Sequence, residues 1–214
     1  MRIRMRFWLK QSRTVLLFAL AAGPAMCAYM WLINSGTDLR ELVRTVSLQS
    51  AWFAGFLQMA MSLSVYRLYL PLAISFGSTR KEAQIGMVLM KIINTAGIVA
   101  VFCVYNLLFA GELKNTFIEC TPAVLGGVVF FGSLGSLFGM LVHRFGGKGG
   151  WIMGLISGVL GGVFAIVVIK GVFTSQWNAN VQLFNTLALI LGGVFLTAEL
   201  ICQRLILRNY AVKL

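Results

Sequence analysis

The chain has 214 residues, of which 59% are hydrophobic and 11% charged, and its mean hydropathy is +0.87. No soluble domain of this size hides that much apolar surface, so the composition points to an all-α integral membrane protein. The formal net charge of +12 does not mark a nucleic-acid binder, because the basic residues flank apolar runs instead of lining one soluble face, and anionic lipid headgroups are the expected counter-charge.

Taken in chain order, residues 2–13 carry Arg2, Arg4, Arg6, Lys10 and Arg13. At helical spacing Arg2, Arg6, Lys10 and Arg13 share one face, with Met5, Phe7 and Trp8 elsewhere and Arg4 breaking the pattern. The segment reads as an interfacial helix on the inner leaflet or as a basic flank that orients the first span. That span, 15–33, is long for a signal-peptide core and right for a membrane crossing, so an uncleaved first helix is expected. Residues 34–47, with Asp38, Arg40, Glu41 and Arg44 and no net charge, suit an outer loop. A second span covers 48–72, with Arg67 near its inner end.

Between the second span and the third, 85–109, lies the most polar short stretch flanked by long apolar ones, Ser75 to Gly86. Pro71 and Gly77 disfavour continuing a helix. Thr79 followed by Glu82 reads as a capping box, with the hydroxyl taking the Glu82 N–H and the carboxylate reaching back to the Thr79 N–H. One helix is therefore expected to end near Gly77 and the next to begin at Thr79. The segment is either a solvated hairpin with basic residues at the lipid surface or an element that a partner protein grips.

Residues 110–120 read as a second outer loop. The fourth span is 121–142, followed by a basic inner loop, 143–150. A fifth span covers 151–173, a short turn 174–180, and a sixth span 181–201. The segments assigned inside hold twelve lysines and arginines: Arg2, Arg4, Arg6, Lys10, Arg13, Arg80, Lys81, Arg144, Lys148, Arg204, Arg208 and Lys213. Those assigned outside hold four: Arg40, Arg44, Lys114 and Lys170. That bias predicts one transmembrane domain, 1–214, of six helices with both termini inside.

The chain offers little reaction chemistry. His143 is the lone histidine, and no cysteine has metal-ligand or redox spacing, so no metal site and no catalytic residue are expected. Gly146-Gly147-Lys148-Gly149 lacks the upstream glycine and the Ser/Thr of a phosphate loop. Gly135 and Gly139 on the fourth span, and Gly154, Gly158 and Gly162 on the fifth, recur every four residues and read as helix-packing positions. Arg67, Lys91 and Glu199 are ionisable groups within spans. Each is a functional candidate by default. They also read as lying within two or three turns of the inner surface, where snorkelling, or a pair between Glu199 and Arg67 or Lys91, accounts for them structurally.

The run Leu70-Pro71-Leu72-Ala73-Ile74-Ser75-Phe76-Gly77-Ser78-Thr79-Arg80-Lys81 resembles the segment that follows the second of six spans in small ABC-2-type exporter permeases. The basic amphipathic N-terminus is similar to that family's connecting helix. The resemblance implies a dimeric permease, made with a second copy or a related permease, in a bacterial cytoplasmic membrane. It also implies a separate ABC ATP-binding subunit that holds ATP and Mg, with no cofactor in this chain. Phe76, Gly77, Ser78, Thr79, Arg80, Lys81 and Glu82 would then form the cytoplasmic coupling hairpin against the ATPase. Residues 174–180 are short for the re-entrant helices this family often carries between spans five and six. A non-transporting membrane scaffold, immunity or sensor subunit would share the topology without stimulating an ATPase.

Overall fold

The computed structural model describes residues 8, 10, 12–14, 16, 17, 20, 21, 55–75, 77, 79–109, 114–146, 148 and 177–208. All of these are helical except Gly77, Thr79 and Gly146. Residues 55–75 form α1, which is α-helical over 55–64, makes a π turn at Val65–Tyr69 and resumes as an α-helix over Leu70–Ser75. The other long helices are α2, Arg80–Phe109, α3, Lys114–Phe145, and α4, Trp177–Arg208.

Three stretches are long and apolar enough to cross a bilayer: Lys81–Val104, Thr121–Phe145 and Asn185–Leu205, of 24, 25 and 21 residues. At about 1.5 Å per residue they measure about 31 to 38 Å, enough for a hydrocarbon core of about 30 Å. The expected first span is described only at Leu16, Leu17, Leu20 and Ala21. The expected fifth span, with Gly154, Gly158 and Gly162, lies outside the described residues.

Proline chemistry explains the irregular part of α1. Pro71 has no N–H to donate and its ring crowds the carbonyl one turn back. The chain absorbs it by widening the preceding turn, so that the Leu70 N–H donates to the Val65 carbonyl, five residues back. Pro71 therefore stays within the helix, and Gly77 alone ends it. With φ 79° Gly77 adopts a left-handed conformation that costs glycine little, and its N–H closes on the Ile74 carbonyl at 2.9 Å. α2 begins at Arg80, directly after the Thr79 cap expected for it, whereas α3 begins earlier than expected, at Lys114, inside the segment read as an outer loop. Nothing in 114–120 is a helix breaker, so the helix continues past the apolar run. In the same way α4 takes in Trp177–Asn180 from the expected 174–180 turn.

α3 is the centre of the bundle: 72% of its most apolar window is buried, against 39% for α2 and 17% for α4. Glycines bring α1 against it. A Cβ on Gly135 would strike the Met59 carbonyl, and one on Gly139 would stand 2.7 Å from the Leu63 carbonyl and 3.0 Å from the Tyr66 ring. Gly126 does the same for α4, facing the Ala188 carbonyl, while a Cβ on Gly192 would lie 2.7 Å from the Gly126 carbonyl. Pro122 leaves the backbone near it short of partners, and the Ala123 N–H donates to Asn185 Oδ1 at 3.1 Å. Phe130 meets Phe195 edge-on at 4.8 Å and Phe131 meets Phe56 at 4.6 Å.

These contacts fix direction. Gly55, Met59 and Leu63 meet Phe131, Gly135 and Gly139 in ascending order, so α1 and α3 are parallel. Asn185, Ala188 and Phe195 meet Ala123, Gly126 and Phe130, so α4 is parallel to both. Ile98 and Phe102 cluster with Val128 and Val124 while Lys91 meets Ser136, which makes α2 antiparallel to α3.

Of the expected interfacial segment 2–13, only residues 8, 10, 12 and 13 are described. Trp8 packs onto Gly86, and Leu16, in the expected first span, packs onto Gly97. Two residues without side chains leave a groove on α2, and the Trp8 indole, 3% exposed, fills one end of it beside Tyr66, Leu70, Ala73 and Ala83. Lys10 and Arg13 remain exposed.

Candidate functional site

Two polar regions stand out in this apolar chain. The first is the bend between α1 and α2. Thr79 N–H donates to Glu82 Oε2 at 2.9 Å, and Glu82 N–H donates to Thr79 Oγ1 at 3.3 Å. The reciprocal cap expected from the spacing is present, and the carboxylate also complements the positive end of the α2 dipole. Ala83 N–H reaches the Thr79 carbonyl at 2.9 Å, starting the helix ladder. Gly77, Thr79 and Lys81 are exposed. Phe76 and Ser78 lie outside the described residues, as do the side chains of Arg67 and Arg80. Beneath the bend, Leu70, Ala73 and Ala83 are buried together with Trp8, so the two stems are packed as far as Ala73 and Ala83.

The second region is internal. Lys91 of α2 is joined to Glu199 of α4 by an ion pair, and Lys91 Nζ also donates to Ser136 Oγ of α3 at 3.2 Å. Gln203 Nε2 donates to Glu199 Oε1 at 3.0 Å, so both carboxylate oxygens are engaged. Ser136 Oγ in turn donates to the Gly132 carbonyl at 3.2 Å. An ion pair away from water keeps both members charged only because each also finds hydrogen bonds, and removing one partner leaves a charge with no compensation.

Of the two structural accounts expected for these charges, the structure shows the pair with Glu199 and not snorkelling. Lys91 sits near the middle of Lys81–Val104, about 15 Å along the helix axis from Lys81. Its side chain is 11% exposed and that of Glu199 3%. The charges are held inside the bundle, each by the other.

Around the pair lie residues that sequence reasoning did not single out: Gln58 and Tyr66 of α1, Asn94 and Thr95 of α2, Ser133 of α3 and Gln203 of α4, all buried. A signal for them does exist. Lys91, Asn94 and Thr95 fall at i, i+3 and i+4. Glu199 and Gln203 fall at i and i+4, and Gln58, Ser62 and Tyr66 recur every four residues. Each long helix thus presents a polar stripe on the face it turns to its neighbours.

A comparison of the chain with protein-family models, curated proteins and solved structures finds no match in any of the three.

Proposed function

We propose that the chain is the membrane-spanning permease subunit of an ATP-driven exporter of the ABC-2 type, crossing a bacterial cytoplasmic membrane six times with both termini inside. It works with a second permease copy and a separate ATP-binding subunit. Its cargo is an amphiphile of peptide, drug-like or lipid character.

The observation that carries this reading is the capped bend at Gly77–Glu82, in the segment that resembles the coupling element of such permeases. A bend fixed by a left-handed glycine and a reciprocal cap, above stems packed at Ala73 and Ala83, transmits a push to two long helices instead of absorbing it. Helix direction also supports the six-span order. α3 and α4 are parallel neighbours, so a return passage must separate them, and residues 151–173 are an apolar run of the right length to make it.

In this mechanism ATP closes the partner subunits, the bend moves with the ATPase surface, and the two permease bundles rock between states. The bend must contact the two ATPase states unequally, because only a differential contact shifts the balance. The test is purification from membranes through a tag on the C-terminal tail, followed by an ATPase assay of what comes with it. An ATPase should co-purify. Reversing Arg80 and Lys81 to Glu, or replacing Gly77 with Val, should lower cargo-stimulated turnover several-fold while membrane insertion is unchanged. Turnover that ignores all three substitutions would overturn the coupling role, and the lack of any ATPase companion would favour a scaffold, immunity or sensor subunit.

A further inference from the structure

The internal polar cluster holds more hydrogen-bonding capacity than its ion pair uses. Gln58 and Asn94 each have an amide nitrogen and an amide oxygen without a partner, and the Thr95 and Ser133 hydroxyls are also unpartnered, whereas the Tyr66 hydroxyl lies against the Gln203 side chain. None of these four unmet residues is more than 7% exposed. An unmet polar atom in a low-dielectric interior costs about 1–3 kcal/mol, a cost that apolar side chains of the same size would not carry. The groups come from α1, α2 and α3, so they belong to different walls instead of marking one face.

Geometry draws them together around Gly132. A methyl there would stand 3.1 Å from Gln58 Cγ and 3.6 Å from Lys91 Cε, so the Gln58 amide and the Lys91 stem meet over backbone that carries no side chain. Ser133 follows at the next position, and Asn94 and Thr95 lie one turn along α2 from Lys91. The chemistry of the set is specific. Lys91 balances Glu199, leaving no excess charge to attract an ion. The unmet groups include amide donors, amide acceptors and hydroxyls that serve as either. Several such groups converging on one place are what holds water or a small polar solute inside a protein.

α4 is pinned to α3 in its first half, where Gly126, Ala188 and Gly192 bring backbone against backbone and Asn185 takes the Ala123 N–H. Beyond Gly192, Phe195 packs on Phe130 and beside Leu134 and Phe138, while α2 is joined to α4 by the Lys91–Glu199 ion pair.

We propose that the Lys91–Glu199 cluster is a polar binding chamber within the membrane span, opened to the aqueous phase when α4 parts from α2, and complementary to a compact, uncharged solute that both donates and accepts hydrogen bonds. The chamber belongs to this chain alone and does not depend on an ATPase partner.

Thiol labelling in membranes tests it. In a chain with Cys27, Cys103, Cys120 and Cys202 replaced by Ala, Ser133→Cys and Leu134→Cys are exposed to 2-hydroxyethyl methanethiosulfonate, a small neutral hydroxyl-bearing reagent. Both positions are buried, but only Ser133 belongs to the cluster. Thiol modification follows access, and Ser133→Cys should react at least about tenfold faster than Leu134→Cys. Adding Glu199→Gln should raise the Ser133→Cys rate again, by loosening the tie to Lys91. Thr95→Cys, on the α2 wall, reports independently if Ser133→Cys fails to accumulate. Equal rates at the two positions, or reaction only with a lipid-soluble maleimide, would show a dry structural lock and overturn the chamber.

Discussion

The bend at Gly77–Glu82 and the cluster at Lys91–Glu199 are both polar islands in an apolar chain, yet they obey opposite physics. At the bend, the partners of the cap lie within four residues of one another, and Gly77, Thr79 and Lys81 are exposed. In the cluster, the partners are 45 and 108 residues apart, and no solvent relieves a missing one. A polar residue at the surface is cheap to keep and modest in effect. The same residue at midspan is held only by well-placed neighbours, and its loss is felt by the whole bundle.

The largest expected effect follows from that contrast. Glu199→Leu strands the Lys91 ammonium and should cost about 3–5 kcal/mol in reversible unfolding from mixed micelles. Adding Lys91→Met should recover most of that loss, because an apolar pair replaces an ionic one. If the double variant is as unstable as the single, the pair is not what Glu199 contributes. A smaller effect is expected at the glycines that let helices touch. Gly135→Val pushes α1 away from α3 and should cost about 1–3 kcal/mol. Gly193, where an added methyl would meet nothing within 4 Å, should accept Ala and gain up to about 1 kcal/mol from helix propensity. Matching losses at both sites would mean that contact is not what singles out Gly135.

The smallest effect belongs to the bend. Thr79→Ala removes one side of the reciprocal cap and should cost about 1 kcal/mol. The change should stay local, seen as faster hydrogen exchange at the Glu82 amide with little change at Asn94. Exchange that rises equally at both would erase the distinction between the two islands.

Residue by residue, the bend was legible because its chemistry is short-range: the Thr79 to Glu82 spacing is a sufficient signal for the cap. Gly135 was readable for the same kind of reason, since small residues four apart mark a close helix face. Pro71 does not act as the breaker that its chemistry suggests, because the π turn at Val65–Tyr69 absorbs it, whereas the end expected near Gly77 is where the helix stops. The place of Trp8 was not legible, because the surface that receives it is set by Gly86, more than seventy residues away. Lys91 and Glu199 were visible as charges within spans, and a pair with Glu199 was expected from either Arg67 or Lys91; which of the two it takes was decided by contact between α2 and α4.

Composition and periodicity by themselves determined that this chain is helical and built for a bilayer, and local spacing determined where α1 turns into α2. Those features depend on apolar area and on bonds that close within a turn or so. Only the tertiary structure decided that α1, α3 and α4 run parallel, that α2 carries the amino-terminal segment in its groove, and that polar stripes from four helices meet around one ion pair. Each of these is a contact between distant residues, and it exists only once glycine-lined faces have brought the backbones close enough for side chains to reach across.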